Sequence, residues 1–435
     1  MTKSFRPWSV DEVWLLPPSI HEFVPAGHPA HLVRDLVRES LDLSPILKSY
    51  TEPCGYPPYH PAMMVALLLY AYSRGLYSSR QIARACEERL DIQAVTALNR
   101  PDFRTISDFR KRHLAALAAL FVQVLDLCRR AGLVDLGHVA LDGTKIKANA
   151  SKHKAMSYAR MVKAEDDLAG EVARWLQQAA AADAAEDAEH GPERRGDEPP
   201  DWMKDKQRRL ERIRAAKAEL EAEAQAAAAA KPPPHYRGGR KPKHPPGTPK
   251  PNAQRNFTDP DSRIMKGRDG FVQAYNAQIA VDRRRQIILA HRLTNNASDQ
   301  EALLPLLDAL HAQTGRRPAE ISADAGFCSE ANLAGVAARK VKAYVATGRA
   351  KHPAGAGGGA EAQHRGPLVT AMRDKLRHAG RRSRYRLRKQ IVEPVFGQIK
   401  QARGFRQFLL RGIDKVGKEW ALICTVHNLT KLIDA

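Results

Sequence analysis

HVALDGTKIKA (138–148) is the stretch on which the fold turns. It follows a long helical region ending near Gly132, and its apolar Val139, Ala140, Leu141 and Ile146 predict a strand carrying one acid, Asp142. FVQAYNAQIAVD (271–282) and QIILAHRLT (286–294) predict two more strands, joined across Arg283–Arg285 as a hairpin. An amphipathic helix from Asp299 to Gln313 comes next. EISADAGF (320–327) and VKAYVAT (341–347) predict a fourth and a fifth strand. Further helices are predicted from about Ile391 to Gln401 and from Lys418 to Ile433. Three antiparallel strands followed by alternating helices and strands describe an α/β RNase H-like fold.

Upstream, residues 1–132 read as an all-α domain. Leu32, Val33, Leu36, Val37 and Leu41 recur at helical spacing, and Pro61 can open a buried helix running to Tyr72. Ser78 or Ser79 can cap QIARACEERL, and Thr105 with Asp108 resembles a capping box for a helix through Arg130. Met63 to Leu90 has the outline of a helix-turn-helix, and Arg80 and Arg84 are its candidates for DNA contact. Residues 133–435 form the second expected domain, interrupted at 155–250. There, two Ala- and Glu-rich helices (161–180 and 204–230) are broken by HGPERRGDEPPD (190–201) and predict an antiparallel hairpin. Leu168, Val172 and Trp175 line one helix, and Leu210, Ile213 and Leu220 line the other. The basic, proline-rich 231–255 stretch and GAGGGA (355–360) read as loops.

The chain has 435 residues with 70 Lys+Arg against 48 Asp+Glu, a net charge of +22. The surplus is local. Residues 231–255 hold seven basic residues and no acid, and residues 373–418 hold fifteen against three acids. Charge gathered in this way is the footprint of a polyanionic partner, nucleic acid first. A membrane span is not expected, since the longest apolar run, AMMVALLLYAY (62–72), is about half the ~20 residues required. The opening MTKSFRPWSVDEVW has no apolar signal segment, and the five cysteines are scattered singly. These features lead one to expect a soluble protein of the cytoplasm, associated with the nucleoid.

Three acids stand out by context. Asp142 lies within an apolar strand, Asp324 at the carboxyl end of another, and Glu393 alone among basic residues. An isolated acid of this kind is as often a strand-end or turn cap. Two acids on adjacent strands call for a cation between them, because like charges repel. Glu393 reads either as the hub of structural ion pairs or as a metal ligand beside a phosphate-binding surface. Pro394, directly after it, is out of place in a helix interior.

LDGTKIKANAS (141–151), SADAGF (322–327) and YRLRKQIVEPVFGQIKQARGF (385–405) resemble the three catalytic blocks of bacterial insertion-sequence transposases of the DDE class. The stretches from YHPAMMVALLLYAYSRGLYSSRQIA to PDFRTISDFRKRH are similar to that family's N-terminal domain. In the third block the interval from Arg388 to Glu393 is one residue longer than the commonest form, so Lys389 stands as an alternative to Arg388. The resemblance implies that Asp142, Asp324 and Glu393 are catalytic and hold two Mg²⁺ ions, for which Mn²⁺ can substitute. It also implies that Lys145, Tyr385, Arg388, Lys389, Lys400 and Arg403 contact DNA.

The implied activity is metal-dependent phosphodiester cleavage at element ends followed by strand transfer. The partners would be terminal-repeat and target DNA and a second copy of the chain, as a homodimer or larger assembly. Two alternatives stand beside it: an RNase H-fold nuclease that does not join strands, and an inactive DNA-binding regulator.

Overall fold

The computed structural model describes residues 24–51, 57–190, 201–230, 245–267, 270–348 and 366–435. The readings made above for the N-terminal fourteen residues, for 191–200, for the proline-rich 231–244 and for GAGGGA lie outside them.

The first part is helical: α1 (Pro29–Glu39), α2 (Ser44–Leu47), α3 (Pro61–Ser73), α4 (Ser79–Glu88), α5 (Leu90–Thr96), α6 (Phe103–Arg112) and α7 (Leu114–Arg130). Pro61 occupies the first turn of α3, where a missing N–H costs nothing, and Met64 to Tyr72 are all buried. This explains the apolar run: α3 is apolar all round because it is enclosed by protein. The capping box expected at Thr105 is not the one used. Asp102 caps α6 by accepting the N–H groups of Arg104 and Thr105, and the helix breaks at His113 before α7 begins.

β1 (His138–Lys147) leads through β2 (Ala155–Ser157) into α8 (Tyr158–His190) and α9 (Asp201–Ala229). The chain returns through β3 (Gln254–Asn256), β4 (Arg263–Gly267), β5 (Gly270–Asp282) and β6 (Ile288–Thr294). It continues as α10 (Leu303–Thr314), β7 (Glu320–Ala323), α11 (Glu330–Ala338), β8 (Lys342–Val345), α12 (Pro367–Ala379) and α13 (Leu387–Gly397). After a π-helical turn (Gln398–Ala402), α14 (Ile413–Ile433) closes the described chain. Elements β2, β3, β4 and α12 were not anticipated, and α11 fills the place between the fourth and fifth strands where the alternation called for a helix without giving its bounds. β4 is five residues of mixed polarity, α11 is mostly alanine, leucine and valine with no polar face to mark a period, and α12 exposes most of a basic surface.

β6, β5 and β1 are antiparallel neighbours, and β7 and β8 extend the sheet in parallel beyond β1. β4 shares an edge of β5 with β6. This order is consistent with the RNase H-like α/β fold expected. Trp420, Ile423 and Val426 of α14 belong to one apolar core with Phe121 and Val124 of α7 and with β6. The Asn428 amide holds β6 from this helix, accepting the Ile288 N–H and donating to the Ile288 carbonyl. The N-terminal helices and the sheet therefore share a core.

α8 and α9 have a core of their own, made of Met161, Leu168, Leu210, Ile213, Ala216 and Leu220. Val172 and Trp175 are half-buried. Ion pairs Glu171–Lys206 and Glu165–Lys217 and the Tyr158–Glu221 hydrogen bond step in opposite directions along the two helices, so the pair is antiparallel. β2 and β3 pair at its base, Ser157 facing Gln254.

Candidate functional site

Asp142 is the fifth residue of β1 and is 8% exposed. Asp324 follows the last residue of β7, the strand hydrogen-bonded beside β1. Its carboxylate accepts the Gly326 N–H and opens a short 3-10 turn. Both acids thus lie toward the carboxyl side of parallel neighbours, where α/β sheets place their sites.

The third block is fixed to this edge by side chains. Arg384 donates to Glu320 of β7 at 2.7 Å, and Glu320 is also within 3.5 Å of Lys342 on β8. From that anchor α13 runs continuously through Pro394. The proline cannot donate to the Gln390 carbonyl four residues back, and Gln286 Nε2 donates to that carbonyl instead, at 3.1 Å. An outside donor therefore accommodates the residue that looked out of place.

The result is a convergence on one guanidinium. Arg388 Nη2 lies 2.7 Å from Asp142 and 3.9 Å from Asp324, and Nη1 lies 3.4 Å from Glu393. The Arg388 side chain is 11% exposed, and its buried Nε has no hydrogen-bond partner. Burial pushes the Asp142 carboxyl up to about 6; Arg388 opposes this and Asp324 adds to it. The Asp324 carboxyl is also raised, by burial first and then by neighbouring Asp299, against Arg388 and Lys145. Burial raises the Tyr385 hydroxyl, with Asp324, Asp142 and Glu393 adding to the effect.

Among the described residues, no three His, Cys, Asp or Glu side chains are grouped so as to hold a metal ion. The donor chemistry nevertheless fits a hard divalent cation: three carboxylates gathered around a positive charge, with no sulfur or imidazole among them. Arg388 is the positive charge that these three acids face.

The other residues named from the sequence divide into four groups. Arg388 contacts the acids, half-buried Tyr385 lies one turn before it, and Lys389 is exposed on the helix that carries Arg388. Lys400 and Arg403 are turned into the protein instead. Lys400 donates to Thr144 Oγ1 and to the Lys145 carbonyl, and Arg403 donates to His427 of α14 at 3.0 Å. Continuous helix was expected from Glu393 to Gln401, but the π turn takes over at Gln398 and carries Lys400 toward β1. Arg80 and Arg84 lie on α4. Arg80 covers the Phe103 ring at 5.1 Å, and Arg84 pairs with Glu88 at 2.7 Å.

Lys145 is three residues from Asp142, so strand alternation sends it to the other face of the sheet. There it meets Asp299, 3.5 Å away. Asp299 was read only as the start of a helix; its polar context, NNASD, carried no signal of a buried partner.

Residues 18–112 match a family described as "Transposase domain (DUF772)", and residues 243–429 match one described as "Transposase DDE domain". The chain belongs to the DDE transposases. The two matches take in well over half of it, and the second includes Asp324 and Glu393 but begins after Asp142. No curated protein and no solved structure matches the chain. As a DDE transposase it is a DNA transposase, an enzyme of polynucleotidyl transfer and strand cleavage that depends on divalent metal. Among its described residues no helix is long and apolar enough to cross a membrane.

Proposed function

We propose that Asp142, Asp324 and Glu393 are the catalytic acids of this transposase and hold two Mg²⁺ ions, with Mn²⁺ able to replace them. The observation that carries this reading is the single Arg388 guanidinium facing all three carboxylates at 2.7 to 3.9 Å. Bound there, the metal supplies Lewis acidity at the phosphodiester and activation of the attacking oxygen. Half-buried Tyr385 and exposed Lys389, which flank Arg388 in the sequence, would meet the incoming DNA backbone. With metal held by the acids, Arg388 would be free to pair with a backbone phosphate, which would keep its charge compensated.

The reaction is cleavage at element ends followed by strand transfer to target DNA, carried out by a homodimer or larger assembly at the nucleoid in the cytoplasm. Nothing observed favours a nuclease without joining activity or an inactive regulator. We assign residues 1–132 to end recognition and 133–435 to catalysis, with 155–250 an insertion carrying the helical hairpin. Arg80, beside Phe103, is the foremost DNA contact of the first region.

The test is Asp142→Asn, Asp324→Asn and Glu393→Gln on end DNA with Mg²⁺. Each variant should lose cleavage while DNA affinity stays within about threefold, because these acids hold metal and not phosphate. Affinity falling in parallel with cleavage would assign the three acids to the fold.

A further inference from the structure

The Asp299 carboxylate lies against both strand-acid motifs. A Cβ placed on Gly143, next to Asp142, would stand 2.8 Å from Asp299 Oδ1. One placed on Gly326, two residues after Asp324, would stand 3.2 Å from Asp299 Oδ2. Any residue other than glycine at 143 would displace this carboxylate. The glycine that follows the first acid is therefore explained by the seat of a fourth acid.

That seat is held from beneath. Asn276 Nδ2 and Gln278 Nε2 donate to Asp299 Oδ1 at 2.6 and 2.9 Å. Both amides come from β5, and both residues are fully buried. Asn276 is the register partner of Lys145, and Gln278 is that of Gly143, so all four lie on one sheet face, opposite Asp142. Lys145 Nζ approaches the same Oδ1 at 3.5 Å, an ion pair longer than a hydrogen bond. Its ammonium hydrogens thus remain free for another acceptor. Asp299 Oδ2 also faces Gly326, in the turn that the Asp324 carboxylate opens, so the paired ammonium is held near that turn.

We propose that Asp299 is a positioning residue of the catalytic centre: seated between Gly143 and Gly326, it fixes the Lys145 ammonium beside Asp324, where it meets the scissile phosphate. This rests on the assignment of the three acids given above. Neither the pairing with Lys145 nor the two glycine contacts would be needed by a helix that merely begins at this point. A capping role is also absent: the Asp299 side chain makes no cap hydrogen bond to the turn it precedes.

The experiment compares Asp299→Asn, Lys145→Gln, their double variant and Asp142→Asn. It measures DNA affinity, thermal stability and single-turnover cleavage at saturating end DNA. The side-chain amide carbonyl introduced by Asp299→Asn can still accept from Asn276 and Gln278. This variant should therefore keep wild-type stability and affinity while cleavage falls about tenfold. Lys145→Gln, at a partly exposed position, should lose about as much, and the double variant no more than about twofold beyond either single variant. Wild-type cleavage in Asp299→Asn or Lys145→Gln would overturn the proposal. So would an equal loss from Asp299→Asn in the presence and absence of Lys145, since Asp299 would then act without it. If Asp299→Asn does not fold, the Lys145→Gln rate at saturation decides alone. Asp142→Asn separates the two readings: activity in that variant overturns the active-site assignment, whereas its inactivity beside a fully active Asp299→Asn overturns only this one.

Discussion

Arg388 Nη2 stands 2.7 Å from Asp142 Oδ2 with both side chains almost enclosed, so a fixed positive charge compensates the most buried of the three acids. On the proposed assignment, a metal ion and this guanidinium would compete for the same carboxylates. An opposite charge this near shifts a carboxylate by roughly 1–3 pKa units, and its removal frees that interaction for a metal. In Arg388→Gln without DNA, Mn²⁺ should bind at least about tenfold more tightly at pH 8, by direct titration. Unchanged or weaker binding would mean that Arg388 organises the acids and does not compete for them.

The charge on Asp142 costs stability. Burial raises its carboxyl to about 6 in the folded protein, so between pH 4 and 6 the folded state binds more protons than the unfolded state. Stability therefore falls as pH rises through that window, and the full penalty is present at neutral pH. Asp142→Asn carries no such charge. It should be more stable than wild type by on the order of 2 kcal/mol at pH 7.5, with the advantage nearly gone at pH 4. Urea unfolding at the two pH values measures this, and a constant difference would mean that packing is responsible.

Lys389 and Lys400 should separate binding from architecture. Lys400 gives hydrogen bonds to Thr144 and to the Lys145 carbonyl, whereas Lys389 is exposed on α13. One phosphate contact contributes roughly one to the slope of log affinity against log salt. Lys389→Ala should lower that slope by about one. Lys400→Ala should leave it unchanged while lowering stability, because it loosens β1 just beyond Asp142. A fall of one in Lys400→Ala would return that lysine to the DNA surface.

Most of the sheet was legible because each long strand is apolar and bounded by turn residues; the five strands read from the sequence agree with the structure to within a few residues. β4 was missed because five residues of mixed polarity form a strand only through pairing with β5. The acids could be named from their strand context, but not the means of their convergence. Arg388 and Lys400 look alike in sequence, both basic residues of one block. The π turn at Gln398 separates them, sending Lys400 to β1 while Arg388 faces the acids. Asp299 was illegible for a similar reason: its partners Lys145, Asn276 and Gln278 come from two other strands.

The shared core also bears on how the chain can be divided. Trp420, Cys424 and Val426 of α14 are buried in a core that includes Leu117, Phe121 and Val124 of α7. Cutting at Gly132 would expose that face of α14. A 133–435 fragment should therefore be aggregated or expanded by size-exclusion chromatography, and end recognition is better tested with Arg80→Ala in the full chain. A monodisperse fragment with native-like unfolding would show that the sheet carries a sufficient core alone.

The helical hairpin should be removable where the shared core is not. Among its described residues, six buried apolar side chains form a cluster separate from the main one. At its base Ser157 and Gln254 face each other across the β2–β3 pair, so a short glycine-rich turn can join them directly in place of residues 158–253. Two losses accompany this. Arg255 gives up Glu219 and Glu223, both at 2.6 Å, and Arg263 gives up its pairing with Glu223 at 3.0 Å. Those acids belong to α9, so removing the helix returns both arginines to water along with their charge, and the net cost should be small. The shortened protein should stay soluble, unfold within a few degrees of the parent and still nick single DNA ends with Mg²⁺. Transposition between paired ends should fall if the helices, which have a core of their own, supply surface for DNA or a second copy. An insoluble product would make the hairpin part of the core, and undiminished transposition would deny it a role in assembly.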